Sequence, residues 1–237
     1  MIDQDKVKSF WDARAKTYEN LAFESIANLE QDSENLQLKI QLETEKVGQF
    51  LGSVSGMSVL DLGAGVGQWA FRFAEAGARR VTAVEYSEPL AEIGRAEAER
   101  RNLGNVSFVV SSAENYASPV AYDLVFISGL FVYMNDDQAE RLVSNLKGFC
   151  HDQTLVLLRD GTALASRHEI NDRMSDHLQS RYSATYRTRQ EYTDLFGQHG
   201  FVLQKDENMF DEGCPLNKYP ETRLRIYRFA RGVACQE

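Results

Sequence analysis

The stretch Asp61-Leu62-Gly63-Ala64-Gly65-Val66-Gly67 sets a carboxylate two positions ahead of three alternating glycines. The apolar pair Val59-Leu60 runs into it, and an amphipathic segment, Gln68 to Ala76, follows. That order reads as a strand, a tight turn and a helix. Glycines admit positive φ and let a ligand lie against bare backbone. The helix behind them offers unpaired N–H groups and the positive end of its dipole. A pyrophosphate-binding turn has the pattern G-x-G-x-x-G, but here Gln68 stands where its last glycine falls. Asp61 would repel a diphosphate and attract an ammonium group, so the turn suits a zwitterionic amino-acid tail better.

Further chemistry belongs at the ends of the other strands, because open α/β sheets bind ligands beyond the carboxyl ends of their strands. Glu85 ends a second apolar run, where a carboxylate accepts hydrogen bonds from ribose hydroxyls, and Tyr86 beside it offers a ring to a base. Ser111-Ser112-Ala113-Glu114 ends a third run, and Ser128-Gly129 ends a fourth, followed by Tyr133. Ser112 and the Ala113 amide can meet a heterocycle, whereas Glu114 also reads as a plain helix-start acid. Beyond a fifth run lies an excess of arginine. Arg167, His168 and Arg173, with Arg223 and Arg225 in the last strand, are candidates for gripping a carboxylate or phosphate on a substrate. The competing reading is a solvated segment balanced by Glu169, Asp172 and Asp176.

Taken together, the acid before the glycines, the pattern G-x-G-x-G and the residues downstream resemble the class I S-adenosylmethionine (SAM) methyltransferases. The resemblance covers about residues 55 to 230. It implies S-adenosyl-L-methionine as cofactor, held by Asp61, Gly63, Ala64, Gly65, Gly67, Glu85, Tyr86, Ser112, Ala113, Glu114, Ser128 and Gly129. Many relatives carry Asp where Ser112 stands and His near Tyr133, so the chain departs from the pattern at both places. Trp11-Asp12-Ala13-Arg14-Ala15-Lys16-Thr17-Tyr18 is similar to the entry segment of that family, in which the last aromatic lies over the sulfonium end. Tyr18 and Tyr133 are therefore the candidate catalytic positions, although a phenol with an ordinary pKa of about 10 is a poor base. Asp160 lacks an adjacent Asn or Asp, and no metal is expected.

The elements that must position these groups alternate strand and helix from residue 57 to residue 158, the signature of a parallel sheet covered on both faces. The resemblance implies a Rossmann-like, doubly wound, mostly parallel seven-stranded sheet ending in an antiparallel hairpin. Two amphipathic helices, at about 6–20 and 34–51, precede the first strand and read either as ordinary packing on the sheet or as a helical lid over the ligand. The expected division is thus one methyltransferase domain over 1–237: lid 1–52, SAM-binding core 53–160, and an acceptor-side insertion with the C-terminal hairpin, 161–237. Residues 160–187 look polar and irregular.

At 237 residues the chain suits one domain of ordinary α/β size. A net charge of −9 argues against a nucleic-acid partner, whose phosphates want a basic face. Three scattered cysteines suggest no disulfide framework or zinc site. No leader or membrane span is visible, so a cytoplasmic monomer or homodimer is expected. The leading expectation is a metal-independent methyl transfer to N or O of a small molecule, acidic or nucleotide-linked. The alternatives are a NAD(P)-dependent oxidoreductase on a similar core and a non-catalytic SAM-binding protein.

Overall fold

The computed structural model describes residues 1–16, 23–30, 32–175 and 180–232. Five parallel strands form the core of the sheet: β1 (Ser58–Leu62), β2 (Arg80–Glu85), β3 (Val106–Val110), β4 (Tyr122–Ser128) and β5 (Cys150–Ala163), in the order β3-β2-β1-β4-β5. The order reverses between β1 and β4, which puts the switch point, and hence the ligand cleft, beyond Leu62 and Ser128. Antiparallel β9 (Thr222–Arg231) takes one edge of β5 and β8 (Phe201–Asn208) pairs outside it. These seven strands match the expected mostly parallel sheet with its C-terminal antiparallel hairpin.

Side chains alternate across the central strands with a period of two. Val125, Ile127, Leu158 and Tyr227 pack against α6 (Asp136–Leu146) and α7 (Arg189–Gln198) through Leu142, Val143 and Phe196. Leu124, Phe126, Leu157 and Ile226 pack against α3 (Ser33–Leu51) and α4 (Gln68–Glu75) through Phe50, Trp69 and Phe73. α5 (Glu88–Arg100) covers β2 and β3, and α1 (Gln4–Lys16) with the short α2 (Phe23–Ile26) packs beside it through Ala15 and Ile26 against Leu90.

The region after β5 corrects the sequence reading. The fifth strand runs from Cys150 to Ala163, past the expected end of the alternation at residue 158, and where an irregular segment was expected an antiparallel hairpin follows: β6 (His168–Ser175) and β7 (Ser180–Thr188). β9 occupies one edge of β5, so β4 and β7 share the other. β4 pairs up to Arg159 and β7 takes over at Thr162 and Ala163. The hairpin therefore stands beyond the carboxyl end of β4, over the cleft. One extra residue explains why the sequence hid it. Ile170 and Arg173 pair with Ala184 and Tyr182, three steps on β6 against two on β7, with Asp172 at φ 47°. That bulge shifts the alternation of β6 by one residue, and it sets Arg173 among the cavity-lining residues with His168 and Ile170.

No helix among the described residues is long and apolar enough to cross a membrane.

Candidate active site

The glycine turn is shaped by backbone that only glycine adopts readily. Gly63, Gly65 and Gly67 have φ of 74°, 58° and 86°. The amides of Gly63 and Ala64 both donate to the Val84 carbonyl, at 2.9 and 3.0 Å, which pins the turn to β2. Glu85 braces it from the side. Its Oε2 accepts from the Gly65 amide at 2.8 Å and its Oε1 from the Ser87 amide at 2.9 Å. Gly67 does not line the cavity. A Cβ there would lie 2.4 Å from the Phe108 ring, so its place is explained by packing and φ, not by ligand contact.

Asp61 and Glu85 are both buried. Burial raises each carboxyl to about 7, against which the Ala70 amide of α4 acts on Asp61 and the Ser87 and Gly65 amides act on Glu85. Asp61 Oδ2 has no hydrogen-bond partner among the described residues. Folded carboxyls raised in this way bind protons that the unfolded chain has lost. Their contribution to stability is present below the ordinary carboxyl range and fades as pH rises through about 7. A cation or hydroxyl donor bound to the ionised forms has the opposite dependence. The ligand-free protein should therefore lose stability between about pH 5 and pH 8 while cofactor affinity rises over the same interval. Denaturation and titration calorimetry across that window check this, and Asp61→Asn should flatten both slopes.

A cavity of about 700 Å³ spreads from this turn, a size usual for small-molecule sites. Asp61, Gly63, Ala64, Gly65, Glu85, Tyr86, Ser112, Ala113, Glu114, Ser128 and Gly129 all line it. So do Trp11 and Tyr133, whose rings meet edge-on with centroids 5.5 Å apart. Tyr18 lies outside the described residues. Ser112 is engaged by Asn115, whose Nδ2 donates to its Oγ at 2.8 Å, and the Ser128 Oγ accepts from Arg159 Nη1 at 2.7 Å.

The hairpin roofs the cavity with groups the sequence reading missed. Tyr182 donates to the Tyr133 Oη at 3.5 Å and lies 3.4 Å from the Tyr186 Oη, long contacts that leave hydroxyl protons open to a ligand. Burial holds all three phenols above their ordinary range, so they are donors and not bases. The alternation Tyr182-Ser183-Ala184-Thr185-Tyr186 is a strand signal that could have revealed them.

The arginines divide. His168, Arg173 and Arg223 line the cavity; Arg167 and Arg225 do not. Arg167 is tied up by Asp136, Glu169 and Glu191, and Arg225 by Asp206 and Asn208. Arg223 is held by both oxygens of Glu212. Most of the local arginine excess is thus neutralised within the protein, while Arg173 has no ion-pair partner among the described residues. No group of three or more His, Cys, Asp or Glu among the described residues could hold a metal ion.

Residues 59–152 match the family model of a methyltransferase domain. Over those residues the chain is similar to the methyltransferase domain family, as the glycine turn and the strand ends lead one to expect. A curated relative, phosphoethanolamine N-methyltransferase 1 of Triticum aestivum, is 26% identical over 92% of this chain and 41% of its own length. The chain thus spans less than half the length of that relative. Among solved structures, Haemonchus contortus phosphoethanolamine N-methyltransferase 1, in complex with phosphoethanolamine and S-adenosylhomocysteine, shares the fold. Its TM-score is 0.74 at 19% identity, covering 99% of this chain and 50% of that one. Burkholderia thailandensis 1,6-didemethyltoxoflavin-N1-methyltransferase also shares it, with a TM-score of 0.70 at 15% identity over 98% and 92% of the two chains.

S-adenosylmethionine is the cofactor that this resemblance implies. The buried Asp61 Oδ2, without a partner among the described residues and beside a glycine turn open to the cavity, is what an ammonium-bearing ligand requires, so the residues present fit the group.

Proposed function

We propose that the protein transfers a methyl group to a nitrogen or oxygen atom of a small acidic metabolite, with a phosphorylated amine such as phosphoethanolamine as the first candidate. The carrying observation is a single cavity with a buried carboxylate end, Asp61 and Glu85, and a roof of Tyr133, Tyr182, Tyr186, His168 and Arg173, which has no ion-pair partner among the described residues. The first end suits the cofactor and the second an anion. The names of the relatives support the same substrate class.

In this reading Asp61 receives the ammonium of the amino-acid tail and Glu85 the ribose hydroxyls. Tyr86, Ser112, Ala113 and Glu114 surround the adenine, and the Ser128 carbonyl with Gly129 closes the tail. Bound SAM supplies a methyl carbon activated by its sulfonium. The chain's own work is alignment and exclusion of water. Tyr133, with its phenol held protonated, orients the acceptor by donating a hydrogen bond. The same reading keeps 1–52 as lid, 53–160 as cofactor core and 161–237 as acceptor side, and it needs no metal.

The test is methyl transfer from radiolabelled SAM to phosphoethanolamine and, in parallel, to ethanolamine. Label should enter the phosphorylated amine alone. Arg173→Ala should raise its KM about 10–100-fold, the scale of a lost charged hydrogen bond, and leave S-adenosylhomocysteine binding unchanged. Efficient methylation of a neutral acceptor, indifferent to Arg173, would refute the reading. Tight cofactor binding with transfer to no metabolite would favour a SAM-binding protein without catalysis.

A further inference from the structure

Tyr133 stands on a single 3-10 turn, Phe131–Tyr133, between β4 and α6. A turn this short has little hold on its own shape. Its backbone donates from Tyr133 to the Leu130 carbonyl at 3.0 Å and from Met134 to the Phe131 carbonyl at 3.1 Å. Side chains from three other elements hold it from outside. Asp160 of β5 accepts from the Phe131 amide through Oδ2 at 2.8 Å, and Gln4 of α1 donates to the Tyr133 carbonyl through Nε2 at 3.0 Å. Arg187 of β7 makes the most contacts. Its Nη1 donates to the Phe131 carbonyl at 2.8 Å, and its Nη2 to the Met134 carbonyl at 2.9 Å and to Asp136 Oδ1 at 2.6 Å.

Arg187 is 3% exposed. A buried guanidinium is costly unless its donors are met, and an apolar side chain would fill the space without that cost. What the guanidinium adds is a planar fork that spans two carbonyls at once, which an ammonium does not do. Arg187 follows Tyr186 in sequence and shares β7 with Tyr182, whose hydroxyl meets that of Tyr133 at 3.5 Å. One residue thus ties the turn that carries Tyr133 to the strand that carries the other two phenols. Arg187 itself does not line the cavity.

We infer that Arg187 is a positioning residue, which sets Tyr133 against Tyr182 and Tyr186 and so fixes the place at which the acceptor is oriented. The inference rests on the reading of Tyr133 as the group that orients the acceptor. A misplacement of about 1 Å in such an alignment costs on the order of 100-fold in rate. The effect of losing the fork therefore falls on kcat and not on cofactor binding.

The test is Arg187→Lys, which keeps the charge but reaches one carbonyl at a time. Hydrogen exchange reads it without any acceptor. The Tyr133 and Met134 amides should exchange about tenfold faster than in the wild type, while those of β1 and β2 keep their rates. Unchanged exchange at the turn, or equal acceleration throughout the sheet, would overturn the inference. Affinity for S-adenosylhomocysteine should stay as in the wild type, and a parallel loss of it would mark Arg187 as general scaffolding and overturn the inference too. With phosphoethanolamine and SAM, kcat should fall about 30- to 100-fold while KM holds. In a Tyr133→Phe background the same substitution should cost less than about threefold, because the group it places is gone. Losses that multiply in the double variant, or an effect confined to KM, contradict the inference. A wild type that methylates no phosphorylated amine removes that acceptor from the proposed function, and the exchange result still decides for or against Arg187.

Discussion

Glu43→Ala is expected to destabilise the protein by about 3–5 kcal/mol, because it leaves the Arg159 guanidinium buried and unpaired. The two side chains are 4% and 10% exposed, so little water is available to take the place of the lost partner. In a domain of this size that corresponds to a fall in Tm on the order of 10 °C. The pair joins α3 to β5, and Arg159 passes the connection to Ser128 at the end of β4. The loss should therefore also loosen the cleft and weaken cofactor binding. Replacing both partners with apolar residues, Glu43→Leu with Arg159→Met, should recover most of the stability, since no buried charge remains. Denaturant unfolding of the three variants measures this. A cost below about 1 kcal/mol for Glu43→Ala would mean that solvent screens the pair, as it does at a surface.

Much of this architecture is written in local patterns. The acid-glycine turn, the alternating strands and Glu85 at the end of β2 follow from short-range rules of period and turn chemistry, and the structure brings them to one cavity. What escaped the sequence depends on distant partners. Arg225 reads as a free cation until Asp206 and Asn208 of β8 are brought beside it, and Arg167 until Asp136 and Glu191 are. Gly67 reads as a ligand contact until Phe108 of β3 fills the space above it. The β6–β7 hairpin was obscured by its bulge, which breaks the period that a strand search looks for. Glu43 did leave a trace. It falls three residues after Ile40 and four before Val47, on the apolar stripe of α3, where a charge calls for a partner. The partner, Arg159, is more than a hundred residues away and could not be named from spacing.

The most direct measurement is cofactor binding to the wild type and to Glu85→Ala. Glu85 braces Gly65 and Ser87, and each of its oxygens keeps capacity to accept a ribose hydroxyl. Its removal takes away charged hydrogen bonds and the brace of the turn together. Calorimetry should show S-adenosylhomocysteine binding to the wild type and a loss of about 2–3 kcal/mol in Glu85→Ala, roughly 30- to 150-fold in Kd. NADH binding by the wild type without S-adenosylhomocysteine binding, or an affinity unchanged in Glu85→Ala, would contradict the placement of the cofactor at the Asp61–Gly67 turn.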